Sequence, residues 1–180
     1  MSAEPESSTP PSPRNYAPGT GEDRYIRFIE DWLDVTLSDV QKEIARAIAT
    51  NRFVHVEGAN GYGKSFISAC LIAAYLYCNQ DATVNATSGS YSTLADTLWK
   101  PLKGLHKHAQ NTYGLPGERV ESPPTLRTTF DPEWYFKAIS PRWPDDLEGR
   151  HNERMMYIVE EADKPGITAE HIDSAESTIT

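Results

Sequence analysis

Phe53-Val54-His55-Val56-Glu57-Gly58-Ala59-Asn60-Gly61-Tyr62-Gly63-Lys64-Ser65-Phe66-Ile67-Ser68-Ala69 is the stretch on which the fold turns. Gly58 to Ser65 reads G-x-x-x-x-G-K-[ST] in full, with a β-like apolar run before it and a helix-like one after it. That context separates a phosphate loop from a chance match. Gly58, Gly61 and Gly63 allow backbone conformations that a Cβ would hinder, so successive N–H groups across Ala59, Asn60 and Tyr62 can turn inward on an anion. The helix that follows adds its N-terminal partial charge. Lys64 is placed to reach the β- and γ-phosphates of ATP, and the Ser65 hydroxyl to ligate Mg²⁺, which keeps most of its ligands as water and phosphate oxygen. The plain alternative is a glycine-rich turn before a helix, but strand, loop and helix signals all agree with the first reading.

The chain of 180 residues suits one domain with a tail. Hydrophobic residues make up 38 %, and no apolar run approaches the ~20 residues of a membrane span, so no membrane association is expected. A formal charge of −9 repels nucleic acid overall, so any DNA contact requires a segregated basic patch. Cys70 and Cys78 lie two turns apart on one helix-like stretch, too far for a disulfide, and read as small buried residues of a reducing compartment.

Residues 1–20 are rich in Ser, Pro and Glu and predict a disordered tail, with the core over 21–180. Tyr25, Ile26, Phe28, Ile29, Trp32 and Leu33 recur at helical spacing and predict an amphipathic helix with Trp32 in the core. Ser38 opens a second helix carrying Gln41. Gln41 has two readings: its amide can read an adenine edge, donating and accepting at once, or it can close a capping box with Ser38.

Beyond the loop, Phe66 to Tyr77 predicts an apolar helix and Ala82 to Thr87 a strand. Thr87-Ser88-Gly89-Ser90-Tyr91 supplies small polar residues to cap a helix over Ser92 to Trp99, which Pro101 kinks or restarts at Lys100. Lys100, Lys103 and Lys107 fall together at helical spacing, with His106 and His108 nearby. This is either a phosphate-tracking patch or a solvated face, and the second is the commoner cause of such a run. Asn111 to Pro124 reads as a loop, and Thr125 to Thr129 with Trp134 to Ile139 as a hairpin.

The second decisive segment is Arg154-Met155-Met156-Tyr157-Ile158-Val159-Glu160-Glu161-Ala162-Asp163, an apolar strand running into acids. In phosphate-loop ATPases the first acid there supports Mg²⁺ and the second activates water, which assigns metal support to Glu160 and water activation to Glu161. An arginine acting on the γ-phosphate is sought among Arg142, Arg150 and Arg154, with Arg150 the choice carried forward.

Four segments together resemble the ATPase half of the phage and virus large terminase subunits, which package double-stranded DNA into a preformed capsid. They are the Gln41 helix, the loop Gly58 to Ser65, the run Asn85 to Tyr91 leading to Leu98-Trp99, and the run Gly149-Arg150-His151 to Asp163. The sequence departs from the family pattern at Ser88-Gly89-Ser90, where threonine-alanine-proline-threonine is common from Thr87 on. Asn60 and Tyr62 stand where the family often carries an arginine, and Glu160 where aspartate is usual.

The resemblance implies an α/β phosphate-loop fold of the RecA-like additional-strand type, with a mainly parallel sheet flanked by helices. It implies ATP and Mg²⁺ as cofactors. Its partners would be double-stranded DNA, a portal or procapsid and a small terminase subunit. The setting would be a homo-oligomeric ring in the cytoplasm of an infected host cell. Such a motor continues into further core strands, a coupling motif and usually a nuclease domain, none of which occurs before Thr180, so the chain is expected to be C-terminally incomplete. A helicase or other DNA-stimulated ATPase fits the same motifs, as does a nucleotide-binding module without turnover.

Overall fold

The computed structural model describes residues 10–58, 61, 63–129, 131–139, 153–162 and 167–177. Helix α3, Lys64–Cys78, organises them, because it is apolar nearly all round. Such a helix has to be enclosed. It lies between a sheet and the helices α1 (Arg24–Leu33) and α5 (Lys100–Tyr113), and α2 (Asp39–Thr50) packs against α1 and α3.

The sheet is five-stranded and mixed. Strands β1 (Thr83–Ser88), β2 (Glu118–Glu121), β3 (Pro124–Arg127), β4 (Tyr135–Ala138) and β5 (Met155–Glu160) stand in the order β2-β3-β4-β1-β5. β1 pairs in parallel with β4 and with β5, whereas β2, β3 and β4 are joined antiparallel. The α/β class is therefore as expected, but the sheet is a parallel trio with an antiparallel extension. Val84, Ala86, Phe136, Ala138 and Met156 share one core with the buried residues of α1, α3 and α5.

α1 forms where apolar residues recur at helical spacing, buries all six of them including Trp32, and stops at Asp34 with φ 54. Phe28 stacks between Trp32 and Tyr77 at centroid distances of 6.2 and 5.9 Å. Within the stretch read as a tail, Pro13–Tyr16 forms a 3₁₀ turn, Tyr16 is 2 % exposed and its hydroxyl donates to Asp31 at 2.7 Å. Trp32 Nε1 donates to the Pro11 carbonyl at 3.0 Å. One tyrosine and one tryptophan thus bind to the domain a segment whose composition alone reads as solvated; residues 1–9 lie outside the described residues.

Two further expectations change. Phe53 to Val56 is not a strand: it joins no ladder, and Phe53 is 53 % exposed. Its β-like composition has no neighbouring strand to pair with among the described residues, and composition without a partner does not make a sheet. The reading of Asn111 to Pro124 as a loop misses the end of α5 and the strand β2, whose Glu-Arg-Val-Glu sequence carries the charges typical of a short edge strand.

Pro101 stands where expected: the regular helix α5 begins at Lys100, with the proline in its first turn. α4 (Tyr91–Leu94) passes through a π-helical turn at Ala95–Trp99 into α5, and the wider turn accommodates the ring and the missing N–H. The lysine row is not a free basic surface, since Lys103 pairs with Glu121 at 2.9 Å, His106 is fully buried and His108 meets Asp34 at 2.6 Å. Lys100 and Lys107 are exposed. Cys70 and Cys78 are buried free thiols, and burial pushes the Cys70 pKa up to about 12.

His106 sits in a buried polar knot. Arg119 donates to its Nδ1, and Nε2 lies 3.0 Å from the Tyr77 hydroxyl, which donates to the Pro116 carbonyl. That arrangement requires the neutral ring, with its proton on Nε2. Burial, with the Arg119 charge, lowers the His106 pKa from 6.5 to about 4, against the pull of the Pro116 carbonyl. The folded pKa lies below the unfolded one, so the stabilisation is complete above 6.5 and is lost as pH falls towards 4. Chemical unfolding at a series of pH values should show stability falling between about pH 6.5 and 4.5, above the ordinary carboxylate range. In His106→Gln that slope should flatten.

Candidate functional site

The sheet brings the two decisive motifs together. Strands β1 and β5 are parallel neighbours, so their C-terminal ends, Ser88 and Glu160, lie side by side in register. α3 packs across the same face and presents its first turn to those ends. Ser65 Oγ donates to Glu160 Oε2 at 2.9 Å, joining residues 95 apart in sequence. A loop-and-helix start beside the C-terminal edge of parallel strands is where α/β sheets place their ligands.

The loop geometry follows from its glycines. Gly61 has φ 93, and Gly63, the residue before α3, has φ 73, conformations that side chains disfavour. The residue before α3 is a glycine, which has no side chain to cap the first turn. The positive end of the helix dipole lies next to the loop, an arrangement suited to an anion. Lys64 Nζ donates to the Gly58 carbonyl, so the lysine folds back across the mouth of the loop. Ala59, Asn60 and Tyr62 lie outside the described residues.

Gln41 is oriented by its own helix start. Ser38 N donates to Gln41 Oε1 at 3.0 Å while Gln41 N donates to Ser38 Oγ at 3.4 Å, completing the capping box. The other end of the amide turns to the loop, because a Cβ built on Gly63 would stand 3.0 Å from Gln41 Nε2. The capping-box reading of Gln41 is thus present, with its oxygen tying off α2, while its nitrogen borders Gly63 of the loop.

Glu160 is the last residue of β5 and partly exposed, and Glu161 follows it in the left-handed region at φ 54. A glutamate there is strained. Glu161 opens a turn after β5 and is exposed. Of the three arginines, Arg142 and Arg150 lie outside the described residues. Arg154 is described, and its Nη1 donates to the Gln80 carbonyl at 2.9 Å at the opposite end of β5. Six residues of strand put it roughly 20 Å from Glu160, too far to serve the site of its own chain.

The donor set tests the expected metal. A serine hydroxyl and a carboxylate converge at hydrogen-bond distance, and both are hard oxygen ligands. No group of three or more His, Cys, Asp or Glu side chains that could enclose an ion occurs among the described residues. The residues fit a cation such as Mg²⁺ that draws its other ligands from water and phosphate, and they do not form a closed metal cage. No helix among the described residues is long and apolar enough to cross a membrane.

Sequence reasoning missed Ser88 as part of this site, treating it only as a cap candidate. Ser90 is the residue that caps α4, accepting from Thr93 N at 3.1 Å. The relevant signal, adjacency of β1 to β5, belongs to strand order and is not written in either strand.

Comparison with protein-family models, with curated proteins and with solved structures found no match for the chain.

Because the Glu161 backbone is held at φ 54, Glu161→Gly should raise stability, by up to ~1 kcal/mol, while Glu161→Ala should not. Urea unfolding midpoints of the two variants check this.

Proposed function

We propose that the chain is the ATP-hydrolysing core of a DNA-packaging motor of the large terminase type. The observation that carries its nucleotide part is the 2.9 Å bond from Ser65 to Glu160, which unites the glycine loop with the end of the acidic strand. Neither motif dictates the other's position, and they meet at the C-terminal edge of parallel strands, where α/β sheets commonly hold phosphate ligands. The motor assignment rests on the resemblance of the four sequence segments.

In this reading the leading amides of α3 and the Lys64 ammonium bind the β- and γ-phosphates of ATP, with Lys64 exchanging the Gly58 carbonyl for phosphate oxygen. Ser65 and Glu160 would hold Mg²⁺, which would neutralise charge on the phosphate oxygens. Glu161 orients a water and takes its proton as the water oxygen bonds to the γ-phosphorus. The bond from that phosphorus to the β–γ bridging oxygen breaks, and ADP and phosphate leave. Gln41 Nε2, beside Gly63, faces the region where the base would lie. Arg150 remains the choice for stabilising the developing γ-phosphate charge, acting on its own subunit or on a neighbour in a homo-oligomeric ring. Double-stranded DNA, a portal or procapsid and a small terminase subunit are the partners, in the cytoplasm of an infected host cell.

Phosphate release by the chain, with ATP and Mg²⁺, tests the enzymatic part. Lys64→Ala should abolish binding or turnover, and Glu161→Gln should retain ATP binding with turnover reduced by about 10²- to 10⁴-fold. Normal hydrolysis by Glu161→Gln would remove its assigned role. DNA uptake that depends on a procapsid supports the motor assignment, whereas strand separation on a forked duplex supports a helicase.

A further inference from the structure

Strand β1 ends in a hydroxyl without a partner. Ser88 is 3 % exposed, and its Oγ makes no hydrogen bond. Buried hydroxyls are nearly always satisfied, and one that is not lowers the stability of the fold. Its neighbours show where it could be used.

Side chains alternate along a strand, so Val84, Ala86 and Ser88 share one face of β1, as Met156, Ile158 and Glu160 share one face of β5. Both sets lie on the side of α3, since Val84, Ala86 and Met156 belong to its core, Ile158 packs against that core, and Glu160 receives the Ser65 bond. Ser88 and Glu160 are register partners on neighbouring parallel strands, which run ~4.8 Å apart. The unsatisfied hydroxyl is therefore beside the carboxylate expected to support the metal. Asn85 and Thr87 also carry partnerless polar atoms, but they occupy the opposite face of β1 and cannot reach Glu160.

Glu160 has a reason to need a second donor. A glutamate has one more rotatable bond than an aspartate at the same place, and a single bond from Ser65 to Oε2 leaves the rest of the carboxylate to swing. A carboxylate accepts from several directions at once, so a second donor does not displace the first.

We infer that Ser88 is a positioning residue for Glu160, its hydroxyl donating to the second carboxylate oxygen when nucleotide and a divalent cation are bound. This rests on the nucleotide reading above. In the ligand-free chain the hydroxyl waits unpaired and lowers stability. With ligand it fixes the carboxylate that faces the ion, in the way that outer hydrogen bonds orient metal ligands elsewhere.

The test is binding of a fluorescent ATP analogue as a function of Mg²⁺ concentration, with a metal-free arm in chelator, on the wild-type chain, Ser88→Ala and Ser88→Thr. Thermal unfolding of each without ligand accompanies it. Ser88→Ala should raise the Mg²⁺ needed for half-maximal binding by about 10-fold, leave metal-free binding unchanged, and unfold at the same or a higher temperature than wild type. Ser88→Thr, which keeps the hydroxyl, should restore the wild-type Mg²⁺ dependence. An unchanged Mg²⁺ requirement in Ser88→Ala overturns this inference alone and leaves the nucleotide reading standing. A lower unfolding temperature of Ser88→Ala without ligand also overturns it, by making the hydroxyl structural. Absence of nucleotide binding in wild type overturns both.

Discussion

The enclosure of α3 is the constraint from which the rest follows. A helix with Ile67, Leu71, Ile72 and Leu76 buried, and with alanines and cysteines filling the faces between them, can persist in water only if other elements cover it on several sides. α1 and α5 cover one side and the sheet another, with Trp134 Nε1 bonded to the Leu76 carbonyl at 2.7 Å near its far end. Held in this way, the helix has no choice about where its first turn goes. The Gly63-Lys64-Ser65 corner is brought to the C-terminal ends of β1 and β5, and the polar chemistry of the site is positioned by apolar packing.

That division explains why the corner can afford its unfavourable features. Glu161 at positive φ and a buried Ser88 hydroxyl without a partner both oppose stability. They gather at one edge of the sheet. The aromatic cluster of Tyr16, Phe28, Trp32 and Tyr77 and the knot around His106 lie on the helical side, where packing is dense. Asp34 and Asp81 also adopt positive φ elsewhere in the fold, so the corner is set apart by where its features stand, beside the Ser65–Glu160 bond.

Much of this was legible in the sequence because the signals were local. The helices α1, α2 and α3, the strand β5, and the capping box of Ser38 and Gln41 follow from periodicity and short-range chemistry. The remainder depended on partners. Phe53 to Val56 has strand composition and no strand to join, whereas β2 has little apolar content yet pairs with β3. The lysines of α5 share a helical spacing, but Lys103 pairs with Glu121 and His106 is buried, contacts that only the folded chain brings about. Tyr16 belongs to the core although the residues around it favour solvent. Ser88 gained meaning only from strand order, which no property of either β1 or β5 specifies.

The claim that joins these points is that a nucleotide occupies the corner between the glycine loop and the end of β5. Hydrogen–deuterium exchange of the chain, with and without ATP and Mg²⁺, locates that ligand directly. The account predicts slowed exchange at residues 58–66 and, with it, at the β5 end around Val159 and Glu160, with the amides of α1 and the His106 region unchanged. Unaltered exchange at the loop, or protection confined to some other part of the chain, would contradict it.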